Sequence, residues 1–444
     1  MPVFLADVKG DLSGIAEPGT ANDRVRSRAA EVHQQWTPTG FPAEFHALGG
    51  AGHGIPLRAT VTGFGPLLLS KVLRLNPTQE QSLSLIFHYA DTKGLELVDL
   101  KDLRAVVAFL TSDEGKRELK GIGGLPAATA GVILRSLTAL EAQGMADFFG
   151  EPESDTGEFP RRAGDGRGVV SVLELPAVQG EPRLFSAFLM WLLADLFHDL
   201  PEAGDVDRPR PVFFLDEAHL LFDDASEAFL EAIAQTVRLI RSKGVGVFFF
   251  FVTQSPKDVP ADVLGQLGNR IQHAPRAFTP DDQKALKATV RTFPESAYDL
   301  GELLTGLGTG EAVVTVLSER GAPTPVAAVR LRAPESLMGP VDAAALDRAV
   351  RQSPLHARCA QAVDRESAYE RLTGARDVQS EETAPAEPRD AARTSRGRRR
   401  GGEEPSAVEQ VLGSGAFRSL ARSMGTRLGR EITRSLFGTA CRRR

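Results

Sequence analysis

Two short apolar runs organise the sequence. Val212-Phe-Phe-Leu215 is four apolar residues in a row, too short for a helix and apolar on both faces. That is the pattern of a strand buried inside a parallel sheet. After a segment of helical spacing over 226–241 comes a second run, Gly244-Val-Gly-Val-Phe-Phe-Phe-Phe-Val252, which predicts another buried strand. Val3 to Ala6 predicts a short strand ending at Asp7, Leu57 to Thr62 alternates like a half-buried one, and Gly168 to Leu175 returns to strand character. Between them, Leu83, Leu85 and Ile86, then Leu103, Val106, Val107 and Leu110, step at helical intervals, and 132–143 and 183–200 read as further helices. Thr279 with Asp281 and Asp282 marks a helix start. The runs 308–317 and 325–331 predict a final strand pair. Strands alternating with helices predict an α/β fold with a mostly parallel sheet.

The polar residues that end these strands carry the candidate chemistry. Asp216 and Glu217 follow Leu215 directly, Thr253 and Gln254 end the next run, and Asp7, Lys9 and Asp11 end the first. In open α/β sheets the carboxyl edge of the strands is where ligands sit. An Asp there can hold Mg²⁺ through its water shell, and a following Glu can polarise a water against a γ-phosphate. Taken alone, an Asp-Glu pair reads first as a solvated acidic turn after a core strand. Arg241, with Arg238 and Lys243 beside it, ends the intervening helix, where cations also suit the dipole. Arg270 sits at a helix-to-strand corner, and an ordinary surface or ion-pair role fits it too. His219 is expected to pack on the turn after the strand and not to bind metal. No Cys/His cluster has zinc spacing.

A strand ending in Asp-Glu followed by one ending in Thr-Gln resembles the Walker B and sensor pair of P-loop motor ATPases. The phrases Ala6-Asp-Val-Lys-Gly-Asp-Leu-Ser-Gly14, Leu239-Ile-Arg-Ser-Lys-Gly-Val-Gly246 and Val363-Asp-Arg-Glu-Ser-Ala-Tyr-Glu370 narrow the likeness to bacterial HerA-like ATPases of the HerA/FtsK branch, over about residues 1–375. The resemblance implies a RecA-like P-loop NTPase core, ATP and Mg²⁺ as cofactors, and a homo-oligomeric ring, a hexamer among the forms it allows, translocating or unwinding DNA. It implies Asp216 as the Mg²⁺ residue through water, Glu217 and Gln254 as catalytic, and Arg241 as an arginine finger. Asp7, Lys9, Asp11, Thr253 and Arg270 would line the cofactor edge. One element departs from the family: no G-x-x-x-x-G-K-[ST] occurs, and the only Gly-Lys pair, Gly115-Lys116, is followed by Arg117. The expectation is a reading frame that starts too late, with true loss as the alternative. Weak or absent ATP binding by residues 1–444 follows. The alternatives to a DNA motor are a non-catalytic assembly protein of ATPase fold and a motor acting on protein or membrane-bound substrates.

The domain expectation is the start of the ATPase core over 1–65, a helical insertion over 66–160, the remainder of the core over 161–375, a linker of disordered composition over 376–405, and a basic tail over 406–444. Composition adds limits. Two cysteines, Cys359 and Cys441, give no disulfide framework and suit a reducing cytoplasm. No apolar run reaches the roughly 18–20 residues of a membrane span. Residues 389–444 hold 14 Arg against five acidic residues, a surplus of nine, so with a chain total of −6 the rest carries −15. In the tail, Phe417, Leu420, Met424, Leu428, Ile432 and Leu436 step by three and four between arginines. This predicts an amphipathic helix that meets an anionic membrane surface, nucleic acid or a partner.

Overall fold

The computed structural model describes residues 1–374 apart from 181, 200–210, 223–229, 232, 236–237, 239–247, 255–258 and 276–277. The expectations for Arg241 and for the tail therefore lie outside the described residues. The larger of two sheets holds β1 (Val3–Asp7), β2 (Ala43–Leu48), β3 (Ile55–Leu57), β4 (Val170–Glu174), β5 (Val212–Leu215) and β6 (Phe248–Phe251). Their order is β3-β2-β4-β1-β5-β6, and every pairing is parallel. The α/β expectation with a mostly parallel sheet holds. Phe213 and Phe249 are direct register partners with rings stacked at 4.8 Å.

One face of the sheet, with Phe4, Ala6, Leu173, Phe213 and Leu215, packs on helix Pro182–Asp199 and a layer of helices between β3 and β4. That layer comprises Val61–Val72, Pro77–Thr92, Leu100–Thr111, Asp113–Glu118 and Ala127–Ala142. Leu103, Val106, Val107 and Leu110 are all fully buried, as their spacing predicts, and each such side chain contributes about 1.5–3 kcal/mol. Capping boxes at Asn76/Gln79 and Asp99/Asp102 fix two of the helix starts. The second face, with Leu5, Phe45, Val170 and Val172, packs on helices Ala343–Gln352 and Pro354–Cys359.

Two expectations change. Leu57–Thr62 is not a strand: β3 ends at Leu57, and Thr60 accepts the Gly63 N–H as the cap of a helix that begins at Val61. The alternation there was a strand end running into a cap, which local hydrogen bonding decides in favour of helix. Nor is β6 a buried strand. Phe248 and Phe250 are 47% and 38% exposed, because β6 is an edge strand with no partner on its outer side among the described residues. Phe250 stacks on Phe214 at 4.5 Å on the second face, beyond the reach of the helices that cover β2 and β4.

The smaller sheet is antiparallel, in the order β7 (Arg270–Gln272), β8 (Glu311–Thr315), β9 (Ala327–Arg330). Leu286, Leu300 and Leu304, from helices Pro280–Val290 and Leu300–Gly306, pack with Val313 and Val326. Thr279 caps the first of these helices through a capping box with Asp282.

The segment around 363–370 is tied back onto the helical layer. Asp102 is fully buried and accepts from Val98 N (2.9 Å), Asp99 N (3.1 Å), Ser367 Oγ (2.5 Å) and Tyr369 N (2.8 Å). Around it, Lys101 pairs with Asp364 and Glu370, and Arg365 pairs with Glu151 and Glu96. Among the described residues no helix is long and apolar enough to cross a membrane.

Candidate active site

Because β1, β5 and β6 are parallel and adjacent, their carboxyl ends open on one edge. Asp7 ends β1, Asp216 and Glu217 follow β5, and Thr253 and Gln254 follow β6. The turn after β5 is held to both neighbours: Asp216 N–H donates to Ala6 O (3.4 Å) and Ala218 N–H to Val252 O (2.8 Å). Between them Glu217 takes a φ of +46°, a left-handed conformation that costs a residue with a side chain about 1–2 kcal/mol.

That twist turns the Glu217 side chain inward. Lys9 Nζ donates to Glu217 Oε1, and Gln254 Nε2 donates to Oε2 at 3.4 Å. His219 Nδ1 lies 3.2 Å from Oε2, close enough for an ion pair when protonated but not aligned as a hydrogen bond. Burial pushes the Glu217 carboxyl up, but the Lys9 hydrogen bond and charge, with His219 and Gln254, outweigh it and hold it below its ordinary value. Lys9 is raised in turn by the same hydrogen bond. Glu217 is thus kept ionised, as a group that orients a water requires. Asp216 is pushed up, by burial first, against the neighbouring Glu217 N–H. Its side chain makes no other hydrogen bond among the described residues, which leaves lone pairs for a hydrated cation.

Asp7 is fully buried and accepts from Gly10 N (2.7 Å) and Leu12 N (2.8 Å). It therefore shapes the 8–12 loop that delivers Lys9. Burial pushes its pKa up, and those two N–H groups oppose the shift. Asp11 is exposed on the same loop.

Arg270 is not on this sheet: it opens β7 of the smaller one. Its Nη1 is buried without a hydrogen-bond partner among the described residues, and burial lowers its pKa. The structure thus brings Asp7, Lys9, Asp216, Glu217, Thr253 and Gln254 to one edge, and places Arg270 on the smaller sheet. His219, expected only to pack on the turn after the strand, lies beside Glu217, and one group escapes the sequence reading: Glu174, which ends β4 in register with Asp7. The strand Gly168–Leu175 carries a signal for Glu174, a carboxylate at the same strand end as Asp7.

The model of the helicase HerA-like C-terminal family matches residues 1–444. The chain belongs to that family. No match exists among curated proteins. Among solved structures the family member is similar to the unbound bacterial conjugative coupling protein TrwBdeltaN70, with 11% identity, a TM-score of 0.44, and 76% of this chain and 87% of that one covered. It is similar to VirB4 of Thermoanaerobacter pseudethanolicus at 14% identity and a TM-score of 0.44, covering 75% and 82%. The plasmid coupling protein TrwB in complex with ADP and Mg²⁺ is similar at 11% identity and a TM-score of 0.45, covering 76% and 86%.

Proposed function

We propose that this chain is the catalytic body of a HerA-like ring ATPase that couples ATP hydrolysis to movement along DNA. The observation that carries this reading is the convergence of Lys9, Glu217 and Gln254, from three strands, beside the unencumbered Asp216. Bound Mg²⁺ would neutralise phosphate charge. Asp216 would hold it through water, Glu217 would polarise the attacking water, Gln254 would orient it, and Lys9 would hold Glu217 ionised in the resting site. Arg241 and Arg270 are the candidates for reaching a neighbouring subunit's nucleotide in a homo-oligomeric ring.

The residues present fit the metal and water side of such a site, and the sequence holds no glycine-rich turn with its Lys for the phosphates. Among the described residues the outer side of β6 is unpaired, and such a turn would fit beside it. The crossover between β5 and β6 places Leu230, Ile233 and Ala234 against the first face. Parallel crossovers are right-handed. A connection running the opposite way, from a strand outside β6 back to β1, would therefore lay its helix on the second face. That is where Phe248 and Phe250 stand exposed and Phe214 is half-buried. A strand–turn–helix unit carrying G-x-x-x-x-G-K-[ST] fits this corner and would bring its turn to the same edge as Asp216.

The test has two stages. Residues 1–444 titrated calorimetrically with Mg-ATP should bind weakly or not at all, and micromolar binding would refute this account of the phosphates. With a strand–turn–helix unit of that type placed before Met1, DNA-stimulated hydrolysis should appear. Glu217→Gln should then abolish it while binding persists. Persistent hydrolysis in that variant would sink the site assignment.

A further inference from the structure

Glu174 occupies a position that none of the roles above uses. It ends β4, in register with Asp7 of β1 on one side and Ala47 of β2 on the other. It is 7% exposed, and neither of its oxygens has a hydrogen-bond partner among the described residues; Oε1 is buried outright. A buried carboxylate without donors is costly, whereas a neutral carboxyl is tolerated.

The Lys9–Gly10 turn lies over Pro176, with Glu174 beside it. Gly10 has a φ of +74°, and a Cβ there would come within 2.8 Å of Pro176 Cγ and 3.8 Å of Glu174 Oε2. Asp7 grips the same turn from the side through the Gly10 and Leu12 N–H groups. One loop is thus seated on two adjacent buried carboxyls, of which only Asp7 has donors.

We propose that Glu174 is a positioning residue that holds a proton while the 8–12 loop is seated, and that its ionisation unseats the loop and so loosens Lys9 from Glu217. The charged groups facing it are Asp7 from β1 and His53 from the β2–β3 connection, with Asp11 acting on Asp7 from the loop. His53 would favour the carboxylate, but it is 60% exposed and pairs with Asp347 of helix Ala343–Gln352 at 2.8 Å. Burial, then the Asp7 charge, pushes Glu174 up to about 7 against that opposition.

The sign follows from linkage. With the seated loop, Glu174 keeps its proton up to about pH 7; with the loop open it ionises near its ordinary value of 4.5. Opening is therefore favoured as pH rises from 4.5 to 7, and levels off above.

The inference deepens the proposed ATPase site and rests on Lys9 belonging to it, but its readout is loop exchange and needs no nucleotide. Hydrogen exchange of the full chain would be followed by mass spectrometry on peptides covering residues 5–14, corrected for intrinsic rates. Protection in the wild type should fall by up to about tenfold per pH unit between pH 5 and 7 and then flatten. Glu174→Gln, and Glu174→Met as a second variant of similar volume, should hold the low-pH protection throughout. An unchanged slope in either folded variant, or no slope in the wild type, would overturn the proposal, whether or not the chain hydrolyses ATP.

Discussion

The left-handed turn at Glu217 can be weighed by comparing two substitutions. Glu217→Ala and Glu217→Gly both delete the carboxylate, so both lose Lys9, Gln254 and His219 equally. They differ only in backbone. At a φ of +46°, Ala retains a steric cost of about 1–2 kcal/mol that Gly does not have. Against this stands the larger unfolded-state freedom of Gly, about 0.4–1 kcal/mol. The difference predicts Glu217→Gly to be the more stable by about 0.5–1 kcal/mol. Urea unfolding reads it through tryptophan fluorescence, since Trp191 is buried against Phe148 and Phe188. The two variants should share one slope and differ in midpoint. If Glu217→Ala equals or exceeds Glu217→Gly in stability, the turn is not strained and Glu217 is not held in place at a conformational cost.

Further outcomes follow from other buried polar groups. His46 is buried edge-on against Phe159 with both ring nitrogens unpartnered, and burial, then the Arg161 charge, lowers its pKa to about 3. Its unfolded form takes up a proton below about 6.5 and its folded form does not until about 3. Stability should therefore fall as pH drops through this window, by up to about 5 kcal/mol; His46→Leu should flatten that fall in melting curves taken from pH 7 to 4. Asp102→Ala leaves three backbone N–H donors unmet, those of Val98, Asp99 and Tyr369, and should cost about 3–5 kcal/mol. It should show as a lower melting temperature and faster proteolysis within 360–374, and resistance there would refute the tie described. Gly10→Ala should lose protection across the 8–12 loop at every pH, because a Cβ at that φ meets Pro176.

The sequence was legible where meaning is local. Val212–Leu215 reads as a core strand because it is apolar at both alternations, and its place between β1 and β6 agrees. Thr279 reads as a helix cap because its partner Asp282 is three residues away. The site was legible in part: Asp216 and Glu217 announce themselves at a strand end, but their geometry does not. Lys9 meets Glu217 across 208 positions, and nothing in either neighbourhood names the other. Glu174 stayed hidden for the same reason, since its proximity to Asp7 is a matter of strand order and register. The exposure of Phe248 and Phe250 was illegible because apolar alternation specifies what a strand would bury, not which neighbour the described chain provides.

The place of β1 at the heart of the sheet has a consequence for synthesis. Val3 is bordered by Val170 on one side and Val212 on the other, so this strand must wait for two that are made after it. At about 5–20 residues per second, more than 200 residues of translation separate Val3 from Val212, a delay on the order of ten to forty seconds. Until residue 170 is made, Val3-Phe-Leu-Ala6 is an apolar strand with two bare edges, and until Val212 is made it keeps one. Closing so long a loop is slow as well as late. The helices between β3 and β4, whose contacts are largely local, can form first and give β1 a surface to settle on. Nascent chains arrested before residue 170 should therefore engage chaperones through residues 3–6, and chains released past residue 215 should let them go.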